Sequence, residues 1–338
     1  MTDRLHCAEA ESLAALHFGI SGKATELGGE RTQNFRIRTG DGRTFTLKVS
    51  DPQEGVDSVL LENAALLHVE RRSPGIIVPR VVPALDGSDL ISPDPQDRRC
   101  LRLLTYVPGT PLAAACNSSA ELRRNIGQGV AALDAALRDF VHPHATGRDL
   151  IWDVKNIGQI KPFLPLIAVD HRPLAEAMLE RFERIAGPHF PHLPAQVVHS
   201  DMNGQNILVD PDNAARLAGF LDFGDIVHAP RIVDLAGAAL LQLDFPGDAP
   251  QMVAEVAAAY HGFVPLDERE IDLLPEFMIA RCVINVAVTE WLATHDPENR
   301  AYIMKNNPAS WARLEKLSAL PREAFRQAFA TQYESCLP

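Results

Sequence analysis

The pattern of apolar and polar positions divides the chain into a strand-rich first part and a helical second part. Residues 3–18 have helical spacing, and Asp57 is placed to cap a second helix. The turn-forming Gly40-Asp41-Gly42 indicates a β-hairpin. Strand-like runs lie on both sides of this turn and farther along the chain: Asn34–Arg38, Arg43–Val49, Val78–Val82 and Cys100–Val107. We therefore expect a small β-rich domain over residues 1–107.

From residue 108 onward, apolar residues recur at spacings of three and four, which predicts helices. The first of these would begin at the capping box Ser118-Ser119-Ala120-Glu121. Further helical segments are 172–186, 230–243, 250–262, 268–296 and 308–331. Only Gln196–Asp225 breaks the pattern, with short strand-like runs. The turn-rich Val107–Pro111 separates the two parts, so we expect an α+β fold whose second domain, 108–338, is larger and mostly helical.

The composition limits the partners of the protein. Over 338 residues the formal net charge is −12, and no block of Lys or Arg provides the basic surface that a nucleic acid requires. An acidic surface suits a cationic substrate such as an amine, although such charge more often serves solubility alone. No apolar stretch reaches the length of about 20 residues that spans a bilayer. We therefore expect neither a nucleic-acid partner nor a membrane partner.

The N-terminus and the cysteines indicate the compartment. The first residues carry acids within a helical pattern, and they lack the basic start and continuous apolar run of a secretory signal. The cysteines are odd in number, far apart and outside any CxxC pattern, which is typical of reduced thiols: Cys7, Cys100, Cys116, Cys282 and Cys336. These features predict a soluble, cytoplasmic protein.

The most informative segment contains two short strands and a turn. Ile207–Val209 and Leu217–Leu221 are strand-like, and the turn formers between them predict a β-hairpin centred near Ala214. Asn206 and Asp222 each lie eight residues from that centre. The hairpin would therefore place their side chains opposite each other at its open end.

Asp201 lies on the loop that leads into this end, in the run His-Ser-Asp-Met-Asn-Gly-Gln-Asn. Asp and Asn also serve as turn residues and caps, but Asp201 follows apolar β-branched residues, where burial is expected. A buried carboxylate needs a partner or a metal. The carboxylates of Asp201 and Asp222 and the amide of Asn206 are oxygen ligands that suit Mg²⁺. Because Mg²⁺ usually keeps phosphate oxygens and waters as further ligands, the segment predicts a phosphate-bearing cofactor.

The same residues resemble the signature of a known family. The run HSDMNGQN and the later LDFGD resemble the aminoglycoside phosphotransferase and choline kinase superfamily. GFLDFGDIVHAPR, the following DLA and Trp152-Asp153 are most similar to hydroxylysine kinase and its bacterial relatives. The resemblance covers nearly the whole chain and implies a bilobal protein-kinase-like fold. A small β-rich N-terminal lobe would bind the nucleotide, and a larger helical C-terminal lobe would carry catalysis and bind the substrate.

The resemblance also implies the reaction and the roles of the central residues. In this family the residue matching Asp201 is the catalytic base, and those matching Asn206 and Asp222 hold Mg²⁺. The implied activity is transfer of the γ-phosphate of ATP or GTP to a hydroxyl group. Two features depart from the commonest pattern: Ser200 replaces the usual Gly, and the loop Leu27–Asn34 lacks a G-x-G-x-x-G motif. The sequence therefore does not identify which loop residues contact the phosphates.

Five further residues have supporting roles in this interpretation: Lys48, Glu62, His199, Asp225 and Asp234. A lysine on a strand is usually solvated, but the kinase-like context implies that Lys48 contacts the α- and β-phosphates. Glu62 lies among apolar residues of the next helix, and Lys48 is its candidate partner. His199 is either a catalytic base or, more in keeping with the fold, a hydrogen-bonding residue that fixes the catalytic loop. Asp225 would support the turn that carries the metal ligand, and Asp234 would contact the catalytic loop.

The candidate substrate contacts are Trp152, Asp153 and Arg281. Asp153, beside Trp152, would hold a substrate ammonium or is an ordinary loop acid. Arg281 lies on a long apolar helix, where it would clamp a substrate carboxylate or pair with Glu290 or Asp225.

The resemblance favours a small hydroxyl-bearing, amine-containing acceptor, an amino alcohol or a hydroxylated amino acid, with 5-hydroxylysine as the best single candidate. An aminoglycoside, choline, ethanolamine, homoserine or a methylthioribose-like sugar are alternatives. A non-catalytic nucleotide-binding protein of the same fold is disfavoured because the base and both metal ligands are present. A protein kinase is disfavoured because no Ala-Pro-Glu segment follows the Asp-Phe-Gly run.

Overall fold

The structure is a computed structural model and describes residues 4–29, 32–51, 55–92, 99–115 and 118–336. The chain forms two compact units, Met1–Pro108 and Gly109–Pro338. The first unit is built on an antiparallel sheet, and the second is mostly helical. The predicted α+β class, with a β-rich first part and a helical second part, is confirmed. Cys116 and part of the loop Leu27–Asn34 lie outside the described residues.

The first unit contains a five-stranded sheet and two helices. The strands are β1 (Gly22–Leu27), β2 (Gln33–Thr39), β3 (Thr44–Val49), β4 (Val81–Val82) and β5 (Leu101–Thr105). The helices are α1 (Cys7–Phe18) and α2 (Val56–Arg72). The strand order is β1-β2-β3-β5-β4, and all neighbours are antiparallel. The predicted turn joins β2 to β3, and Gly42 in it has a φ of 90°, a conformation that favours glycine.

Alternation along the strands gives this sheet two different faces. Phe35, Leu47 and Leu103 lie in one row across β2, β3 and β5 and are fully buried. The buried side of α1 packs into the same core. Lys48 and Arg102 form the next row along the ladder. Because successive side chains of a strand point to opposite faces, these two cations lie on the face away from that core.

Two element boundaries in this unit differ from the prediction. The helix α2 begins directly after Gly55, whose φ of 77° lies in the left-handed region. Asp57 therefore lies in the first turn rather than at the cap, where its charge still complements the helix dipole. Of the expected strand Val78–Val82 only Val81–Val82 pairs, because Pro79 has no N–H to donate to a ladder.

The second unit contains the remaining helices: α3 (Ala120–Leu137), α4 (Pro143–Gly147), α5 (Arg172–Ile185), α6 (Ile232–Leu240), α7 (Ala249–His261), α8 (Glu268–His295), α9 (Arg300–Ile303), α10 (Asn307–Ala319) and α11 (Arg322–Cys336). Its strands are β6 (Thr110–Pro111), β7 (Ala195–Val198), β8 (Ile207–Val209), β9 (Leu217–Phe220) and β10 (Val227–Pro230). One sheet has the order β6-β8-β9, and β7 pairs with β10. The long, largely buried α8 packs against α5, α6, α10 and the 3₁₀ segment Val154–Leu166. Across the described ranges, no helix combines the length and hydropathy that crossing a bilayer requires.

Three local predictions for this unit were wrong. Pro230, where the sequence predicted a helix to begin, is the last residue of the strand β10 that pairs with β7, and the helix α6 begins at Ile232. Ser119, not Ser118, caps α3, because the hydroxyl of Ser118 bonds a side chain elsewhere in the unit. The single helix predicted for 308–331 is two helices, because Pro321 follows α10 and cannot continue it.

Candidate active site

The β8–β9 hairpin brings the predicted catalytic loop next to the predicted metal ligands. The backbone oxygen of Asn206 accepts a hydrogen bond from the Leu221 N–H at 2.8 Å. The predicted pairing of Asn206 with Asp222 was therefore wrong by one residue. The turn is centred near Asn213 rather than Ala214, because the Asp210 N–H donates to the backbone oxygen of Arg216, and an irregularity in the ladder then shifts the register by only one residue. Asp222 follows directly after Leu221, so both candidate metal ligands still lie at the open end of the hairpin.

Asp222 has a left-handed backbone conformation, with a φ of 57°. Such a conformation is uncommon for a residue with a side chain and is found preferentially at functional sites. One carboxylate oxygen, Oδ1, accepts a hydrogen bond from the Gly224 N–H at 3.3 Å, which ties the side chain to the turn that follows. The residue is exposed, so the carboxylate is accessible to a ligand.

Asp201 is held in place by one of its two carboxylate oxygens. Oδ2 accepts hydrogen bonds from the amides of Asn203 and Asn206, both at 2.8 Å. The Asn206 amide also donates to the backbone oxygen of Asp201 at 3.0 Å. Asp201 and Asn206 are thus brought together as the sequence predicts, and Oδ1 of Asp201 lies on the side away from both amides.

The donor set fits a magnesium ion. The bonds from Asn206 Nδ2 to Asp201 orient the amide so that its carbonyl oxygen, Oδ1, points away, and the described residues provide no hydrogen-bond partner for that oxygen. Asp222 adds an accessible carboxylate nearby. The described residues contain no cluster of three or more His, Cys, Asp or Glu side chains that would form a complete metal cage. An amide oxygen and a carboxylate are what Mg²⁺ requires when phosphates and waters complete its shell.

His199 connects the catalytic loop to the strand that precedes Asp222. Its Nδ1 accepts a hydrogen bond from the Asp201 N–H at 3.2 Å, and its Nε2 lies 2.8 Å from the backbone oxygen of Leu221. A neutral ring protonated at Nε2 satisfies both bonds. The buried ring also meets the edge of Phe223, with centroids 4.7 Å apart. Because both nitrogens are engaged in holding backbone, the geometry favours the structural role over that of a base.

Asp234 holds the backbone immediately before Asp201. Its two oxygens accept hydrogen bonds from the N–H groups of His199 and Ser200, both at 2.7 Å, and the residue is fully buried. Ser200 has a left-handed conformation with a φ of 66°, which explains why glycine is usual at this position of the motif. A left-handed residue with a side chain costs about 1–2 kcal/mol. The two bonds to Asp234 offset this cost and fix the direction of the loop.

A second buried acid, Asp134 of α3, lies behind Asp234. Its Oδ2 accepts a hydrogen bond from the Tyr260 hydroxyl at 2.6 Å, and its Oδ1 is buried without a donor among the described residues. The carboxyls of Asp134 and Asp234 lie within hydrogen-bonding reach of each other. Burial raises the pKa of Asp134 well above its ordinary value, and the charge of Asp234 adds to the rise. This rise favours the protonated, neutral form of Asp134 in the folded protein.

We expect Asp134→Asn to keep this arrangement and to remove part of the pH dependence of stability. In the unfolded chain Asp134 ionises at its ordinary pKa, whereas the folded protein keeps the proton to a higher pH. The folded state binds more protons in that window, so the free energy of unfolding falls by about 1.4 kcal/mol per pH unit as the pH rises. Asn donates and accepts in the same places without a proton to lose.

Denaturant unfolding of both proteins between about pH 5 and pH 8 measures the effect. The loss of stability with rising pH is expected to be smaller in Asp134→Asn than in the wild type. Parallel curves would show that Asp134 is ionised in the folded protein. The control is Asp139→Asn, in the exposed turn that follows α3, which makes the same chemical change outside this pair.

Arg281 of α8 contacts the candidate base directly. Its NH2 group donates to Oδ1 of Asp201 at 3.2 Å, and its NH1 group donates to the backbone oxygen of Trp152 at 3.3 Å. The suggested pairing with Glu290 is not observed, because Glu290 pairs with Arg300 at 3.6 Å.

The pKa of Asp201 is raised, first by burial and then by the negative charge of Asp225, and the charge of Arg281 opposes the rise.

The segment around Trp152 contributes a backbone oxygen to Arg281, whereas the negative charge of its Asp153 is already paired. Asp153 is buried and caps the 3₁₀ segment by accepting from the Lys155 N–H at 3.0 Å. Its Oδ2 also lies 3.0 Å from the Lys155 ammonium. Among the described residues Oδ2 makes no hydrogen bond, so its contact with Lys155 is an ion pair only. The pairing within one turn favours the interpretation of Asp153 as a structural loop acid.

In the first unit, Lys48, Glu62 and Arg102 form a buried cluster. Glu62 hydrogen-bonds the Arg102 guanidinium, whose other nitrogen donates to the Asn63 side chain at 3.0 Å. The Lys48 ammonium lies 4.0 Å from Glu62, at the limit of an ion pair. Arg102 is therefore the nearer partner of Glu62, because β3 and β5 place the two cations side by side.

Comparison with known proteins shows the family of the chain. Residues 23–274 match the APH phosphotransferase enzyme family. The chain belongs to this family. It is 25% identical to hydroxylysine kinase from Mus musculus, over 97% of this chain and 94% of the relative.

Solved structures of kinases share the fold of this APH-family chain. An aminopropanol kinase associated with a microcompartment has a TM-score of 0.71 at 18% identity, covering 95% of this chain and 99% of its own. An amicoumacin kinase in complex with AMP-PNP, Ca²⁺ and Ami has a TM-score of 0.69 at 15% identity, covering 94% of this chain and 96% of its own. The predicted superfamily, the hydroxylysine kinase-like character and the kinase-like fold are confirmed. The protein is a small-molecule phosphotransferase that acts on a hydroxyl group.

Three contacts of this APH-family protein were not predicted from the sequence. They are the Arg102 partner of Glu62, the Asp134–Tyr260 support of Asp234, and the bond between Arg281 and Asp201. Each joins elements that are distant along the chain. The available signals were a charged residue within an apolar strand for Arg102 and an acid on the apolar side of α3 for Asp134.

Proposed function

We propose that this phosphotransferase transfers the γ-phosphate of ATP or GTP, with Mg²⁺, to a hydroxyl of an amino alcohol or a hydroxylated amino acid. 5-Hydroxylysine is the best single candidate. The proposal rests on the hydrogen bonding of Asp201. Two amides fix its Oδ2, while Oδ1 points away from them. A carboxylate held in this way is positioned to accept a proton from a hydroxyl group.

In the proposed mechanism, Asp201 accepts a hydrogen bond from the acceptor hydroxyl and orients its oxygen for in-line attack. Asn206 and Asp222 would hold Mg²⁺, which would neutralise the charge of the phosphates. Lys48 would contact the phosphates, with Glu62 as the neighbouring anion, and Arg102 fixes the side chain of Glu62. His199, Asp234 and Asp225 keep the loop and the turn in position. Because the transition state of phosphoryl transfer is loose, such positioning and charge neutralisation account for most of the catalysis.

The choice of acceptor and donor rests on similarity. The chain is similar to a hydroxylysine kinase along nearly its full length, and its fold is shared by a kinase whose complex contains the nucleotide analogue AMP-PNP. Trp152, Asp153 and Arg281 are the proposed substrate contacts, and the structure favours Arg281 among them because it reaches Asp201. The cytoplasmic location remains a prediction from the sequence.

Transfer of radiolabelled γ-phosphate to a panel of acceptors tests this function. The purified protein is incubated with Mg²⁺, labelled ATP or GTP, and 5-hydroxylysine, homoserine, ethanolamine, choline or an aminoglycoside. We expect label in one or more hydroxylated amines and preferential use of one nucleotide. Label in added protein but in no small molecule would favour a protein kinase. Nucleotide binding without any transfer would favour a non-catalytic binding protein.

A further inference from the structure

Arg281 is bonded differently from other arginines of the second unit. Arg231 holds Glu270 with two bonds of 2.8 and 2.6 Å, and Arg181 holds Glu276 with bonds between 2.9 and 3.3 Å. Both glutamates are fully buried. Both pairs are bidentate, and Glu276 is in addition approached by Arg322, whose Nε lies 3.1 Å from Oε1. They are structural ion pairs, in which the guanidinium is already bound to a buried carboxylate.

The bonds of Arg281 are single and long. One runs to Asp201 Oδ1 at 3.2 Å and the other to the backbone oxygen of Trp152 at 3.3 Å. A guanidinium has five N–H donors, and the described part of the chain shows no partner for Nε of Arg281. The side chain is 15% exposed. Arg281 therefore retains donors, charge and solvent access for a further planar anion.

The carboxylate that Arg281 contacts is the one that must also meet the acceptor. Oδ2 of Asp201 is occupied by two amide donors, so the acceptor hydroxyl is left with Oδ1. That oxygen is the one to which Arg281 donates. An acceptor whose hydroxyl reaches Oδ1 consequently lies beside the guanidinium. The part of the acceptor that lies beside the guanidinium must therefore interact favourably with a positive charge.

We infer that Arg281 binds a carboxylate of the acceptor, so that the enzyme selects hydroxylated amino acids over amino alcohols. This inference rests on the proposed function and decides between its two acceptor classes. The planar fork of an arginine matches a carboxylate with two parallel bonds. An ammonium group gains nothing from a guanidinium at this place. Asp153, the nearest acid in the Trp152 segment, is already neutralised by Lys155.

Matched acceptor pairs isolate this contact. Homoserine and 3-aminopropanol differ only by the carboxylate, as do 5-hydroxylysine and 1,5-diaminopentan-2-ol. The measured quantity is the ratio of kcat/KM for the amino acid to kcat/KM for its decarboxylated partner. Because Arg281 also contacts Asp201, a substitution changes the base for both acceptors. The ratio cancels that common effect and reports the carboxylate contact alone.

We expect a ratio on the order of 10² in the wild type for at least one pair, since a bidentate bond between charged groups is worth several times RT. The ratio is expected to fall below about 10 in Arg281→Met. Arg281→Lys keeps the charge beside Asp201 but loses the fork, so an intermediate ratio is expected. Arg300→Met, at an exposed arginine that pairs with Glu290, should keep the wild-type ratio. Thermal unfolding and nucleotide affinity show that each variant is folded.

Different failures of this experiment have different meanings. Amino acids and amino alcohols used equally well by the wild type would refute the inference and leave the proposed function in place. The same conclusion follows if Arg281→Met lowers kcat/KM equally for both members of a pair, because Arg281 then acts on the base or on the transferred phosphoryl group. Absence of transfer to every hydroxyl compound would refute the proposed function, and this inference with it.

Discussion

Replacement of Asp201 by Asn is expected to lower kcat by about 10²- to 10⁴-fold, the usual contribution of a positioned base. The variant keeps an oxygen to accept the bonds from Asn203 and Asn206, so the loop is expected to stay in place. The amide loses the capacity to accept a proton and presents N–H groups to Arg281. Steady-state transfer assays measure the loss, and calorimetric nucleotide binding should be unchanged because Asp201 is not a proposed nucleotide contact.

The matched control for this change is Asp212→Asn. Asp212 lies in the exposed turn of the same hairpin, where its backbone N–H donates to Asp210. The same loss of one negative charge there should leave kcat within about twofold and stability within about 0.5 kcal/mol. If Asp201→Asn retained more than a tenth of the wild-type kcat, Asp201 would not be the base. The pH dependence of kcat would then identify another group.

The local part of the site could be predicted from the sequence because it depends on short-range pattern. The apolar runs Ile207–Val209 and Leu217–Leu221, with turn formers between them, predict a hairpin from period and turn chemistry alone. That hairpin is present and places Asn206 and Asp222 at one end. The error of one residue arose because the turn is centred one residue earlier than expected, and the irregularity in the ladder compensates for this only in part. Such irregularities depend on how a strand packs, and the residues of this turn give no indication of one.

The contact of Asp234 with the catalytic loop was expected from the family resemblance, whereas the second acid behind it, Asp134, and its partner Tyr260 could not be predicted, because they connect distant segments. Asp234 accepts from backbone groups 34 and 35 residues earlier, and Tyr260 bonds Asp134 across 126 positions. A pattern of apolar spacing indicates which face of a helix is buried, but it does not indicate which other helix covers that face. The acid on the buried side of α3 was the only sign that a polar partner had to exist.

The partner of Arg281 could not be predicted from the sequence for the same reason, and this partner belongs to the candidate active site. Spacing along α8 places this arginine on a helix and leaves its charge to be matched by some anion. Glu290 and Asp225 were reasonable candidates by sequence, but Glu290 is taken by Arg300. The bond to Asp201 depends on where α8 crosses the catalytic loop. Ser200 shows the converse: the replacement of glycine was visible in the sequence, whereas its left-handed conformation was not.

Replacement of Asp222 by Ala is expected to reduce kcat by about 10²- to 10³-fold and to weaken binding of the metal. Asp222 provides the one carboxylate of the proposed metal pair, and Asn206 alone offers a neutral oxygen. Loss of the carboxylate removes most of the electrostatic attraction for a divalent cation, so the Mg²⁺ concentration that gives half-maximal rate should rise strongly. Titration of Mg²⁺ in the transfer assay measures this shift, and Mn²⁺ binding in the presence of nucleotide measures it without turnover.

The backbone at Asp222 makes the choice of control important. Its φ of 57° is strained for any residue with a side chain, so Ala retains that strain, whereas Gly would relieve it. Asp222→Gly should therefore lose activity as Asp222→Ala does, while its stability is equal or higher. If both variants kept wild-type Mg²⁺ dependence, the carboxylate would not hold the metal. If only Asp222→Ala lost activity, the backbone conformation, and not the charge, would be the contribution of this residue.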